Sequence, residues 1–198
     1  MKYLLALFFA IVAMVAKGQD ENSLGKFALT FNPLGFVQFG PIIGGEFKLQ
    51  ENLVLTAHVR IPSMGVLSYV VEADDDGLDE LSGTAFGAGI TYFLGSNKNK
   101  PYIGAIIGKQ TVNTLYARGK QWEWAETNKS SLFFFNGGYR FRFNKGFFIN
   151  TGAYLGTAST KWDWQYTNRS YGQFDPEPRS GKTINAFGML ELTVGLEF

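Results

Sequence analysis

Along the last seventeen residues every even position from Ile184 onward is apolar (Ile184, Ala186, Gly188, Leu190, Leu192, Val194, Leu196, Phe198), while Asn185, Glu191, Thr193 and Glu197 hold odd positions. Successive side chains of a strand point to opposite faces, so this alternation predicts a strand with one apolar face. The same period recurs upstream. Lys26 to Asn32 alternates Phe27, Leu29 and Phe31 against polar or small residues, about Gly40 to Leu49 sets Ile43, Phe47 and Leu49 against Glu46 and Lys48, and Leu53 to Arg60 sets Leu55, Ala57 and Val59 against Thr56, His58 and Arg60. Further strands are predicted at about Thr84 to Leu94, Pro101 to Asn113, Ser131 to Phe143 and Phe147 to Thr160, with the C-terminal strand starting near Lys182.

The eight strands are joined by connections of alternating length. Gln50-Glu51-Asn52, Gly95 to Lys100 and Asn144-Lys145-Gly146 are tight, whereas Ile61 to Ser82, Thr114 to Ser130 and Lys161 to Gly181 are long; the short loop after strand one breaks the rule. An even strand number, short turns at one end and longer loops at the other are the organisation of an outer-membrane barrel. The expected fold is therefore all-β, an eight-stranded antiparallel up-and-down transmembrane barrel. A lipocalin-like soluble barrel would point its apolar face inward instead. Gly44, Gly87, Gly89, Gly104, Gly138 and Gly152 on the polar face favour the membrane arrangement, because a narrow lumen has little room for side chains. Aromatic residues near the tight-turn ends (Phe93, Tyr102, Phe143, Phe147, Phe198) are expected to form an interfacial girdle.

The N-terminus adds an address. Lys2, the apolar run Leu4 to Ala16 and the small-x-small site Ala16-Lys17-Gly18 have the parts of a secretory signal peptide, with cleavage after Gly18 and residues 19–198 as one barrel domain. The run is shorter than a membrane-spanning helix requires. Beyond it remain sixteen basic and seventeen acidic residues, with no basic excess to attract nucleic acid and no run of Lys or Arg to suggest a polybasic membrane contact. The chain has no Cys and one His, so disulfides, thiolate metal sites and a His-pair metal site are excluded and no cofactor is expected.

The Asn32-Pro33-Leu34-Gly35 corner, the hairpin from Glu46-Phe47-Lys48-Leu49 to Asn52-Leu53 and the Leu196-Glu197-Phe198 ending together resemble the small eight-stranded bacterial outer-membrane proteins of the OmpA/OmpX type, particularly the compact barrels of Bacteroidota. The resemblance implies the Gram-negative outer membrane as location, with outer-membrane lipid as surroundings. It also implies the barrel-assembly machinery as a partner, with Phe198 as the assembly signal. It carries no substrate.

Candidate chemistry is sparse. The polar face collects Glu46, Lys48, His58, Arg60, Arg140, Arg142, Glu191 and Glu197, a mixed-sign lumen network that reads either as a plug or as the gate of a thin polar pathway. His58 has no nearby Ser on its face, which argues against the catalytic arrangement of a lipid-modifying outer-membrane enzyme. Consecutive Asp residues in the acidic stretch 72–80 lack the alternate spacing of a calcium loop. The most particular signal is a repeat: Trp122-Glu123-Trp124-Ala125-Glu126-Thr127-Asn128-Lys129-Ser130 returns as Trp162-Asp163-Trp164-Gln165-Tyr166-Thr167-Asn168-Arg169-Ser170. The second copy falls on the next outside connection, and Trp-x-Trp in an extended segment sets both rings on one face, so the repeat reads either as a strand prolonged above the bilayer with its indoles at the interface or as an aromatic extracellular surface of Trp122, Trp124, Trp162, Trp164 and Tyr166 for a protein or glycan partner. The expected function is a non-enzymatic outer-membrane interaction or scaffold protein, or an accessory subunit of an envelope complex. The alternative is a narrow porin-like channel for ions or small solutes.

Overall fold

The computed structural model describes residues 25–37, 40–63, 78–116, 123–166 and 179–198. The expected signal peptide, residues 1–18, lies outside them, as do Trp122 and most of the acidic stretch. Eight strands run in chain order: β1 (Phe27–Asn32), β2 (Ile42–Gln50), β3 (Leu53–Arg60), β4 (Leu78–Phe93), β5 (Lys100–Tyr116), β6 (Trp124–Arg142), β7 (Phe147–Tyr166) and β8 (Arg179–Glu197). Each pairs antiparallel with the next in one up-and-down sheet, and β1 pairs back onto β8 through Ala28↔Glu197 to Phe31↔Val194, so the sheet closes on itself. Phe198 extends this seam: its N–H donates to Phe27 O at 2.9 Å and its carbonyl accepts from Phe27 N at 3.3 Å.

Alternation decides what lies inside. On the outward face Ile107, Leu155 and Ile184 are 65, 66 and 71% exposed, whereas Arg140, Asn150, Glu191 and Glu197 point inward and are buried. The sheet is thus apolar outside and polar inside, as the patterning predicts.

The strand ends differ from expectation at one end. β4 to β8 run 16 to 20 residues and take in much of what the sequence reading assigns to long connections, while β1 to β3 have 6 to 9. Trp, Tyr and Thr in these stretches suit a strand as well as a loop, and pairing between them extends the ladder. At the low side of the rim the chain after β1 turns through a short 3-10 segment, Pro33–Phe36, whose first N–H, that of Leu34, is accepted by the Asn32 side chain at 3.0 Å.

Two members of the expected aromatic girdle are inside instead. Phe93 and Tyr102 are 1 and 2% exposed and pack with Val54 within the closed sheet. Parity requires this: Tyr92 and Ile103, their chain neighbours, are the ones exposed outside. Phe143, Phe147 and Phe198 do lie on the outside.

Candidate functional site: a narrow lumen beneath an aromatic mouth

The interior is built by setting bulky residues in register with glycines on the next strand. His58 pairs with Gly87, Ile106 with Gly89, Phe134 with Gly156 and Phe148 with Gly195. In each case a Cβ added to the glycine would meet the partner's side chain, so the glycine is the space into which the ring or branch leans.

Near the tight-turn end the centre is Arg140, 1% exposed. It comes from β6 and reaches Glu46 of β2 at 2.6 Å, Glu197 of β8 at 3.5 Å and Asn150 of β7 at 2.7 Å. Its guanidinium carbon lies 3.8 Å from the centroid of Phe148 and 4.4 Å from that of Phe93, so the cation is held between two rings and two carboxylates. Arg142 adds a second bond to Glu197 at 2.7 Å. Burying a charge is tolerated where its partners are this complete.

The expected lumen network is therefore on one face, but it does not form one ladder. Glu46, Arg140, Arg142 and Glu197 associate. Glu191 instead accepts hydrogen bonds from the hydroxyls of Tyr102 at 2.6 Å and Thr193 at 3.0 Å. Arg60 donates to the amide oxygen of Gln110 and lies 3.6 Å from Met189 Sδ, with no carboxylate among the described residues. His58 stands over Gly87, and Lys48 faces the tight-turn rim beside Arg142 and Glu197. Residues that sequence reasoning missed are Phe93, Phe148 and Tyr102, together with Lys100, which is buried and donates to Asn52 Oδ1 at 2.7 Å. Parity alone could have placed them inside.

Between the Arg140 cluster and His58 the lumen leaves a cavity of only about 50 Å3, little more than water-sized. Above Arg60 it widens to about 680 Å3, lined by Gln110, Thr114, Tyr116, Glu126, Asn128, Ser130, Thr160, Trp162 and Phe187 among others.

The Trp repeats form one wall of this upper space, on strands prolonged into the connections as one of the two readings of the sequence has it, rather than on separate loops. They pair with each other: Trp124↔Tyr166, Ala125↔Gln165, Glu126↔Trp164 and Asn128↔Trp162. Ala125 and Gln165 are equivalent positions of the two copies, so the ladder has a local two-fold centre there, with Trp124 and Trp164 related across it. Their ring centroids are 5.8 Å apart, and Tyr116 stacks on Trp124 at 3.8 Å with a 9° interplanar angle. Trp162 lines the wide cavity and leans over Gly181 of β8. By strand parity Trp124, Trp162 and Trp164 stand on the lumen side of the wall, whereas Lys161 and Asp163 face outward. Tyr166 ends β7, with its side chain outside the described set, as is the whole of Trp122.

Among the described residues no group of His, Cys, Asp or Glu could hold a metal ion. Comparison with protein-family models, curated proteins and solved structures gives no match in any of the three.

Proposed function

We propose that this chain is an outer-membrane β-barrel of a Gram-negative bacterium, non-enzymatic, that acts through its aromatic mouth as an interaction protein or accessory subunit of an envelope complex. The observation that carries the membrane reading is the inverted burial. A closed sheet that exposes Phe86, Ile107, Phe135, Leu155, Ile184 and Leu190 while burying Arg140 and Glu191 is suited to hydrocarbon outside. Closure also satisfies the backbone, since an unpaired N–H or C=O in lipid is costly. Spans of about 9–11 residues suffice to cross a bilayer, so β5 to β8 have length to spare and carry the paired repeats beyond it, on the side of the long connections.

The mouth offers stacked rings beside Asn128, Ser130, Thr160 and Glu126 above a narrowed lumen. Flat rings with polar groups between them suit a glycan or a protein side chain entering from outside. The Arg140 cluster favours a plug over the porin-like alternative, because two carboxylates and two rings close on its guanidinium and the cavity beside it is only about 50 Å3.

The test is photo-crosslinking in cells from a probe at Asn128, with and without Trp124→Ala and Trp164→Ala. A captured partner that disappears in the double variant supports recognition by the mouth. A partner retained at full yield, or capture of nothing but membrane components, sinks it.

A further inference from the structure

Folding assembles a basic row that the sequence disperses. Lys129 of β6 pairs directly with Lys161 of β7, and Lys161 with Lys182 of β8. All three are exposed and, by parity, point outward. Lys109 of β5, also exposed and outward, sits diagonally to Lys129, whose direct partner is Thr111. Strands lie about 5 Å apart, so the three paired ammonium groups occupy a front of about 10 Å. Like charges placed directly opposite one another destabilise a sheet. Among the described residues none of these lysines is joined to a carboxylate by an ion pair; Asp163, two residues beyond Lys161, is an acidic group on the same face.

The surface below the row names the counter-charge. On the same outward face of the same strands, toward the tight-turn end, come Ile184, then Phe133, then Phe135 and Leu155, all exposed. A line of cations capping an apolar strip matches an amphiphile whose anionic head is joined to hydrocarbon. Lysine stems can lie along such a strip while their heads stay in the polar layer. A soluble anion would use the charges and ignore the strip.

We infer that Lys129, Lys161 and Lys182, with Lys109 at the flank, bind phosphate-bearing lipid headgroups of net negative charge, in preference to zwitterionic ones, in the leaflet on the long-connection side. This rests on the membrane reading above. The anionic lipid offsets the repulsion within the row and fixes the depth of β6 to β8 in the bilayer.

The chain has no Cys, so Ser159→Cys places a single benzophenone probe one row below the lysines, on the outward face. The full chain is assembled in nanodiscs of phosphatidylcholine and phosphatidylglycerol in equal parts, irradiated, and its adducts are weighed. The expected result is a several-fold excess of phosphatidylglycerol adducts that falls to parity in Lys129→Gln/Lys161→Gln/Lys182→Gln and is unchanged by excess inorganic phosphate. Removing opposed like charges leaves the fold intact, which the unfolding midpoint in uncharged detergent checks. Parity in the parent, or an excess that survives the triple substitution, overturns the lipid site while leaving the barrel in its membrane. Loss of the excess on adding inorganic phosphate makes it a free-anion site and overturns the lipid assignment. Absence of any lipid adduct overturns the membrane reading itself.

Discussion

Tyr102 and Glu191 hydrogen-bond at 2.6 Å although two strands separate them. The four residues in register across β5 to β8 are Tyr102, Gly138, Gly152 and Glu191, so the tyrosine ring passes over two positions with no side chain. A Cβ at Gly138 would stand 2.6 Å from the Tyr102 hydroxyl, and one at Gly152 3.0 Å. This reach is how a polar lumen is tied together across a wall of glycine.

Tyr102→Phe should therefore lower stability by about 1–3 kcal/mol, the range for leaving a buried partner without its hydrogen bond. Gly138→Val should lower it at least as much by displacing the ring and crowding the neighbouring backbone. Urea unfolding in detergent micelles measures both. If Gly138→Val is neutral, the row does not constrain Tyr102 as described.

The Arg140 cluster makes a prediction with two arms. Arg140→Met leaves Glu46 and Glu197 facing one another, and breaking a buried pair of this kind costs about 3–5 kcal/mol. Arg140→Met combined with Glu46→Gln should recover most of that loss, because Glu197 keeps Arg142 as its partner and no carboxylate of the cluster is left without a cation. In planar bilayers the unaltered chain should give no stable conductance steps. Steps of uniform size from the unaltered chain would favour the channel reading over the plug.

Stacking at the mouth has an optical signature. Tyr116, Trp124 and Trp164 are close enough for exciton coupling, so the far-ultraviolet circular dichroism should carry a couplet that Trp124→Ala abolishes. A double-mutant cycle for Trp124 and Trp164 should show coupling of about 0.5–1.5 kcal/mol, the range for aromatic pairs. Strict additivity would mean that the two copies of the repeat do not interact.

Alternation made the wall of this molecule legible before its contacts were known. β3 is found at Leu53–Arg60 as read from the sequence, and the faces of Phe86, Ile107 and Phe135 follow from period two. Phe93 and Tyr102 show where a weaker argument misled: the tendency of aromatics to gather at strand ends was set against parity, and parity prevailed. Other features were out of reach because they depend on register. Nothing in a single strand reveals that Tyr102 meets Glu191 over two glycines, that Lys129, Lys161 and Lys182 fall in line, or that the Trp repeats pair with one another. Register is set when neighbouring strands align their buried faces, and sequence periodicity gives the face without the offset.

Orientation in a bilayer can be tested directly because the chain lacks cysteine. Leu155→Cys lies on the apolar outward face, Asn136→Cys in the lumen and Asp163→Cys outward on the extended arm. In lipid vesicles a water-soluble maleimide should label Asp163→Cys readily and Leu155→Cys hardly at all, while a bilayer-soluble reagent should reverse that order at Leu155→Cys. Asn136→Cys, enclosed beside the small cavity, should resist both. The pattern follows from hydrocarbon excluding charged reagents and from packing excluding bulky ones. Rapid labelling of Leu155→Cys by the water-soluble maleimide in vesicles would mean that the apolar face meets water, and the membrane reading would have to be abandoned.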